Sequence, residues 1–222
     1  MKKCILIFGI GHSGTGAISG MIHKIGVDGG KNIINTSNSL HPKGIYENNS
    51  FFILNEEILK YIDKFKKFPF PPDIKNNNYI EKFSNKLKTT IKKEFTKDVF
   101  FIKDPRLCFL FPIYKKILNE LNIEIKIIIM ERDINELFKS WSRFSFIKSK
   151  EIFIKIIDKY LKELNNIKNN EECLEVKFDN LLDKKEEELK RIMEFLNLDS
   201  NNIKEALNFV DSKIPKNRRR DG

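Results

Sequence analysis

The sequence predicts an α/β domain, a parallel sheet with helices on both faces, and three observations carry the prediction. The chain opens on a strand, a Gly-rich turn and a helix. Two later apolar runs of strand length, 98–102 and 124–130, each lead into a cluster of charged residues. The segments around them place apolar residues at helical spacing.

The first strand is Cys4-Ile5-Leu6-Ile7-Phe8, an unbroken run of β-favouring residues, as expected for a strand buried on both faces. The turn Gly9-Ile10-Gly11-His12-Ser13-Gly14-Thr15-Gly16-Ala17 follows. A helix over 17–25 then carries Ile18, Met21, Ile22 and Ile25 on one face and stops at Gly26. Glycines let backbone N–H groups converge, and the helix end adds its unpaired amides and positive dipole. Together they make an anion cradle suited to phosphate. The pattern Gly9-x-Gly11-x-x-Gly14 matches a dinucleotide fingerprint, but 31–36 lacks the acid that the fingerprint places about 20 positions on. The ATP/GTP loop needs Gly-Lys-Ser/Thr, whereas Gly14 is followed by Thr15 and Gly16. A Gly-rich turn that simply closes a strand–helix unit is the plain alternative.

At 222 residues the chain fits one domain, 1–222, with 48–97 available as a lid or cap segment. Hydrophobic residues make up 41% and charged residues 32%, the balance of a soluble globular chain rather than a disordered one. The net charge of +10 favours anionic ligands, although the Lys-, Ile- and Asn-rich composition also reads as a general bias. No basic stretch has the interleaved aromatics or the motif of a nucleic-acid module. Cys4, Cys108 and Cys173 lack metal-ligand spacing and are expected as buried, reduced thiols in a cytoplasmic setting. The apolar run after Lys2-Lys3 is too short for a signal peptide or anchor, and no other stretch is long enough to span a bilayer.

Pro42 and Gly44 make 40–49 a loop, which a parallel sheet would put at its carboxyl edge, where such sheets bind ligands. Glu47 is the only acid in that loop and a candidate general base, with a solvated or helix-capping carboxylate as the alternative. An amphipathic helix is expected over 51–65, a Pro-rich break at 68–72 and a Lys-rich helix over 79–95. The strand 98–102 runs into Lys103-Asp104-Pro105-Arg106. Pro105 keeps its predecessor extended and ends the strand, so Lys103 is expected to point from the strand tip towards the Gly-rich turn. A surface Lys103–Asp104 pair is the alternative.

A helix over 113–121 leads to the strand 124–130, which ends in Glu131-Arg132-Asp133. A helix over 134–144 follows with Ser140 and with Trp141, which is assigned to the core. The planar guanidinium of Arg132 suits a bidentate phosphate contact, and Ser140, about two helical turns on, can add a hydroxyl. The segments 149–164, 183–196 and 203–210 read as amphipathic helices without a chemical signature.

Taken in order, these motifs resemble the sulfotransferase family. The turn with Ser13-Gly14-Thr15 is similar to the family's 5′-phosphosulfate loop, and Arg132 with Ser140 resembles its 3′-phosphate element. Lys103-Asp104-Pro105-Arg106 resembles a strand end of tyrosylprotein-type and bacterial members. Gly44-Ile45-Tyr46-Glu47 resembles the loop that carries a catalytic Glu in members without a catalytic His. The stretch 175–182 with the helix ending at Leu198 is similar to the family's last strand and helix.

The resemblance implies a three-layer, P-loop-like fold and a 3′-phosphoadenosine 5′-phosphosulfate (PAPS) donor. It also implies sulfuryl transfer to a hydroxyl or amine of an acceptor, for which an acidic or glycan molecule would suit the Lys-rich surface. Gly11, His12, Ser13, Gly14, Thr15, Gly16 and Ala17 would hold the 5′-phosphosulfate, and Arg132 and Ser140 the 3′-phosphate. Lys103 would neutralise the bridging or sulfonate oxygen, Glu47 would take the acceptor's proton, and no metal is required. His12 stands where the family usually has Lys or Arg, so an imidazolium would have to supply that charge. The family's Gly-rich C-terminal element is absent, and the basic tail 213–222, with Arg218, is expected either to close over the 3′-phosphate or to fray. A P-loop phosphotransferase or nucleotide hydrolase, which would need the missing Lys, and a non-catalytic nucleotide-binding protein are the other readings.

Overall fold

The computed structural model describes the chain except residues 37–42, 65–68, 144–146, 148, 200 and 211–222. Strand β1 (Lys3–Gly9) leads through the turn into helix α1 (Thr15–Lys24). A small antiparallel pair, β2 (Ile33–Ile34) and β3 (Glu47–Asn48), precedes α2 (Asn49–Ile62) and α3 (Asn78–Glu94). Next come β4 (Val99–Lys103), α4 (Leu107–Glu120), β5 (Glu124–Glu131), α5 (Ile134–Arg143) and α6 (Lys150–Asn170). The described chain closes with β6 (Cys173–Lys177), α7 (Phe178–Asp183), α8 (Lys185–Leu196) and α9 (Ile203–Phe209).

The main sheet is parallel throughout, in the order β4-β1-β5-β6. β1 is central, with Cys4 paired to Phe100 on one side and to Ile125 on the other. Successive side chains of a strand face opposite ways, so β1 supplies two cores. Cys4, Leu6 and Phe8 pack with residues of α2, α3, α4 and α6. Ile5 and Ile7 pack with residues of α1, α7 and α8. Burial on both faces is why β1 reads as an unbroken apolar run. The segment 48–97 belongs to the first core, with Leu54, Ile58, Tyr79, Phe83, Leu87 and Ile91 buried there.

Three helices differ from expectation. α7, Phe178–Asp183, takes up most of the stretch 175–182 that resembles a last strand, since β6 ends at Lys177. α4 begins at Leu107, well before 113, because Leu107 to Phe111 are all buried and show no polar face for a period to reveal. Pro112, a helix breaker by its missing N–H, sits inside this helix. α6 continues past 164 because Leu164 and Ile167 carry on its buried stripe.

Because all four strands run the same way, their carboxyl ends, Gly9, Lys103, Glu131 and Lys177, share one edge. The chain passes from β4 to β5 across β1, so this edge is a topological switch point, where α/β sheets form ligand crevices. Glu94 fixes the approach to it. Its buried carboxylate accepts bonds from Asn32 N (3.1 Å), Asn32 Nδ2 (2.7 Å), Asn48 Nδ2 (2.8 Å) and Ser50 Oγ (2.7 Å). Burial pushes this carboxyl up, and bonds from Asn48, Ser50 and Asn32 outweigh that and hold it low. The end of α3 is thereby joined to the β2–β3 pair and to Asn48, the N-cap of α2, next to Glu47.

Candidate active site

The Gly-rich turn is held from behind by its carbonyls. Trp141 Nε1 donates to Gly11 O (2.7 Å), and Arg132 Nη1 donates to His12 O (2.8 Å). In a trans peptide the C=O and N–H point opposite ways, so the first bond turns the His12 N–H away from Trp141. Ser13 N donates to Ile10 O (2.9 Å), closing the turn. His12 takes a φ of +70° and Gly14 one of +101°. At Gly14 a side chain would also collide with the Phe178 ring. The amides of Thr15 and Gly16 open α1 and have no carbonyl one turn earlier in the helix. The Ala17 amide is turned inward, onto Gly14 O (2.9 Å), so the cradle is narrower than expected.

Ser13 is 1% exposed, and its Oγ has no hydrogen-bond partner among the described residues. Such a group costs about 1–3 kcal/mol unless something satisfies it. It lines a cavity of about 420 Å³ together with Ile10, Arg132, Leu137 and Phe178. Arg132 closes one wall, its guanidinium 4.8 Å from the Phe178 ring centre and 3.8 Å from Glu136. Ser140 Oγ lies 3.3 Å from His12 Nδ1. Arg132 and Ser140, expected as a pocket apart from the turn, therefore both touch His12 of the turn itself.

On the other side, Lys103 Nζ donates to Glu47 Oε1 (2.6 Å) and to Ile45 O (3.2 Å). The two charged side chains are 6% and 12% exposed. A Cβ placed on Gly16 would stand 3.3 Å from Ile45 O, so the pair sits against the first turn of α1. Lys103 thus pairs with Glu47, while Asp104 pairs with Arg106. Asp104 is 2% exposed and accepts from Arg106 Nε (2.8 Å), Arg106 Nη2 (2.7 Å), Arg106 N (2.8 Å) and Asn55 Nδ2 (3.0 Å). Tyr114 Oη donates to Asn55 Oδ1 (2.7 Å), and Arg106 also pairs with Glu56. Burial pushes the Asp104 carboxyl up, but the Arg106 charge and its hydrogen bonds hold it below the usual carboxylate value. The reciprocal effect holds the Arg106 guanidinium charged, against its own burial.

The structure therefore brings Gly11 to Ala17, Glu47, Lys103, Arg132 and Ser140 to the carboxyl edge, while Arg218 and the tail 213–222 lie outside the described residues. Sequence reasoning missed four contributors. Trp141 was assigned to packing, but its indole N–H also holds the turn. Asp104 and Arg106 are buried rather than solvent-facing, and they tie the end of β4 to Asn55 and Glu56 of α2. Phe178, first residue after the last strand, lies on Gly14 and Arg132. Among the described residues no group of His, Cys, Asp and Glu could hold a metal ion, and no helix is long and apolar enough to cross a membrane. Cys4 and Cys108 are buried thiols pushed up by burial, and Cys173 is half-buried.

No family model matches the sequence, and no curated protein matches it significantly. Solved structures do match. Sulfotransferase STF1 from Mycobacterium tuberculosis H37Rv aligns over 98% of this chain and 76% of its own, at 10% identity and a TM-score of 0.53. The sulfotransferase domain of the Synechococcus PCC 7002 olefin synthase aligns over 93% and 77%, at 15% identity and a TM-score of 0.54. The sulfotransferase domain from the curacin biosynthetic pathway aligns over 91% and 77%, at 12% identity and a TM-score of 0.52. At these identities the likeness is one of fold: the chain has the P-loop-like α/β fold of sulfotransferases.

Proposed function

We propose that the chain is a sulfotransferase, moving a sulfuryl group from PAPS to a hydroxyl or amine of an acceptor. The observation that carries this reading is the sheltered Lys103–Glu47 pair at 2.6 Å, set beside the first turn of the helix that follows the Gly-rich turn. A cation and a carboxylate at the mouth of an anion cradle are what sulfuryl transfer requires.

The residues fit such a donor. Ser13, whose buried hydroxyl has no partner among the described residues, lines the cavity that Arg132 also lines. The Thr15 and Gly16 amides, at a helix N-terminus, favour an anionic group there. The planar guanidinium of Arg132 holds the turn through His12 O and lines the same cavity, where it would take the 3′-phosphate. Ser140 and His12 stand beside it.

When bound, the donor supplies the sulfuryl group and leaves as 3′-phosphoadenosine 5′-phosphate (PAP). Lys103 spends two of its three N–H donors on Glu47 and Ile45 among the described residues, and the third is available to an oxygen that gains charge. Glu47 takes the proton that the acceptor hydroxyl or amine gives up as its bond to sulfur forms. An acidic or glycan acceptor and a reducing, cytoplasmic setting belong to this reading, supported by the +10 charge and the three free thiols.

The test is Glu47→Gln, read by PAP binding and by PAP formed from PAPS over a panel of hydroxyl and amine acceptors. Binding is expected to stay, with turnover falling by about 10²–10⁴. Unchanged turnover on an acceptor that the parent protein sulfates would remove Glu47 from the chemistry.

A further inference from the structure

We infer that a notch on α1, made by Gly16 and Gly20 and wedged by Phe209 of α9, sets the position of Glu47. Gly20 and Phe209 are thereby positioning residues. The catalytic consequence rests on the sulfotransferase reading; the geometry does not.

Gly16 and Gly20 are four residues apart and share one face of α1. Against Gly16 lies Ile45 O, which also accepts from Lys103. Against Gly20 lie two rings. A Cβ there would collide with Cε1 and Cζ of Phe209 and stand 3.0 Å from Cε2 of Tyr46. Glycine in a helix interior weakens it, so two on one face have a use where other groups approach the backbone closely.

The groups in the notch are the residues that lead into Glu47. Tyr46 is buried and takes a φ of +52°, uncommon for a bulky residue, so its surroundings must hold it. Its ring meets Phe209 edge-on at 5.2 Å and His23 at 5.8 Å, and its amide donates to Ile34 O (2.9 Å). Phe209 also engages Lys43, whose ammonium lies 5.3 Å from the ring centre and bonds to the Phe209 carbonyl. Phe209 therefore grips the loop on both sides of Gly44. The helix that presents the cradle amides is thus also the template for the loop that carries the carboxylate.

The experiment is hydrogen exchange of the full chain, comparing Gly20→Ala, Phe209→Leu and the double variant, with PAP affinity and PAP release from PAPS as a second arm. Exchange over 44–48 is expected to rise by about tenfold in Gly20→Ala, while β1 and β5 stay as protected as in the parent. Phe209→Leu removes the ring tip that the new methyl strikes, so the double variant is expected to regain protection, a non-additive pair. PAP affinity is expected to stay within about twofold, and PAP release to fall and recover in step with exchange over 44–48. Unchanged exchange at 44–48 in Gly20→Ala overturns the inference. If Gly20→Ala does not fold, Phe209→Leu alone decides: faster exchange confined to 44–48 supports the inference, and unchanged or chain-wide exchange overturns it. Parent protein that neither binds PAP nor forms it, with the expected exchange pattern, upholds the notch and ends the sulfotransferase reading instead.

Discussion

The Lys103 ammonium meets the Glu47 carboxylate at 2.6 Å, although one ends a strand of the main sheet and the other lies in a separate two-strand pair. Both side chains are sheltered, so removing one leaves the other poorly solvated. Lys103→Ala is expected to cost about 3 kcal/mol of stability. Glu47→Gln, whose amide oxygen can still accept from Lys103, is expected to cost less. Urea unfolding of the two variants checks the order; equal and negligible losses would mean that the pair is not held as described.

Asp104 and Arg106 give a pH prediction. Folded Asp104 is held below its ordinary value of 3.8, so the unfolded chain takes up that proton first as pH falls. The contribution is complete above that value and is lost as pH drops through it towards the lower folded value. Asp104→Asn is expected to destabilise by about 3 kcal/mol near neutrality, because it leaves the buried Arg106 with only the more exposed Glu56 as a charge partner. The gap between parent and variant should narrow over the range of pH below 3.8. A gap that stays constant across that range would count against the assignment.

Trp141→Phe keeps an aromatic ring beside Phe153 but removes the N–H that holds Gly11 O. A buried carbonyl left without its donor is expected to cost about 1–3 kcal/mol. PAP affinity should fall as well, since the turn loses a rear anchor. A stability loss without any loss of affinity would assign Trp141 to packing alone.

The β1–turn–α1 unit was legible because its buried strand, glycines and helix face are all local signals. So were the strand ends bearing Lys103 and Arg132, since apolar runs that stop at charged residues mark strand tips. The partners of those ends were not legible. Lys103 finds Glu47 across 56 positions, and His12 meets Arg132 across 120, pairings set by topology rather than by any local pattern. The start of α4 was hidden for the opposite reason, because burial on all sides erases the helical period. Gly20 read as an ordinary helix residue, since nothing nearby in sequence announces that Phe209 will pack on it.

The central claim is that the turn and Arg132 together grip a 3′-phosphorylated adenosine nucleotide. The most direct measurement is the thermal shift without added Mg²⁺, comparing PAP with ATP in the parent chain and in Arg132→Ala. Ligand at 100 times its Kd adds about 2.7 kcal/mol, roughly 5–10 °C in a domain of this size. The account predicts a shift of that order with PAP, a smaller one with ATP, and no difference between them in Arg132→Ala. A larger shift with ATP plus Mg²⁺ than with PAP, or a PAP preference that survives Arg132→Ala, would contradict it.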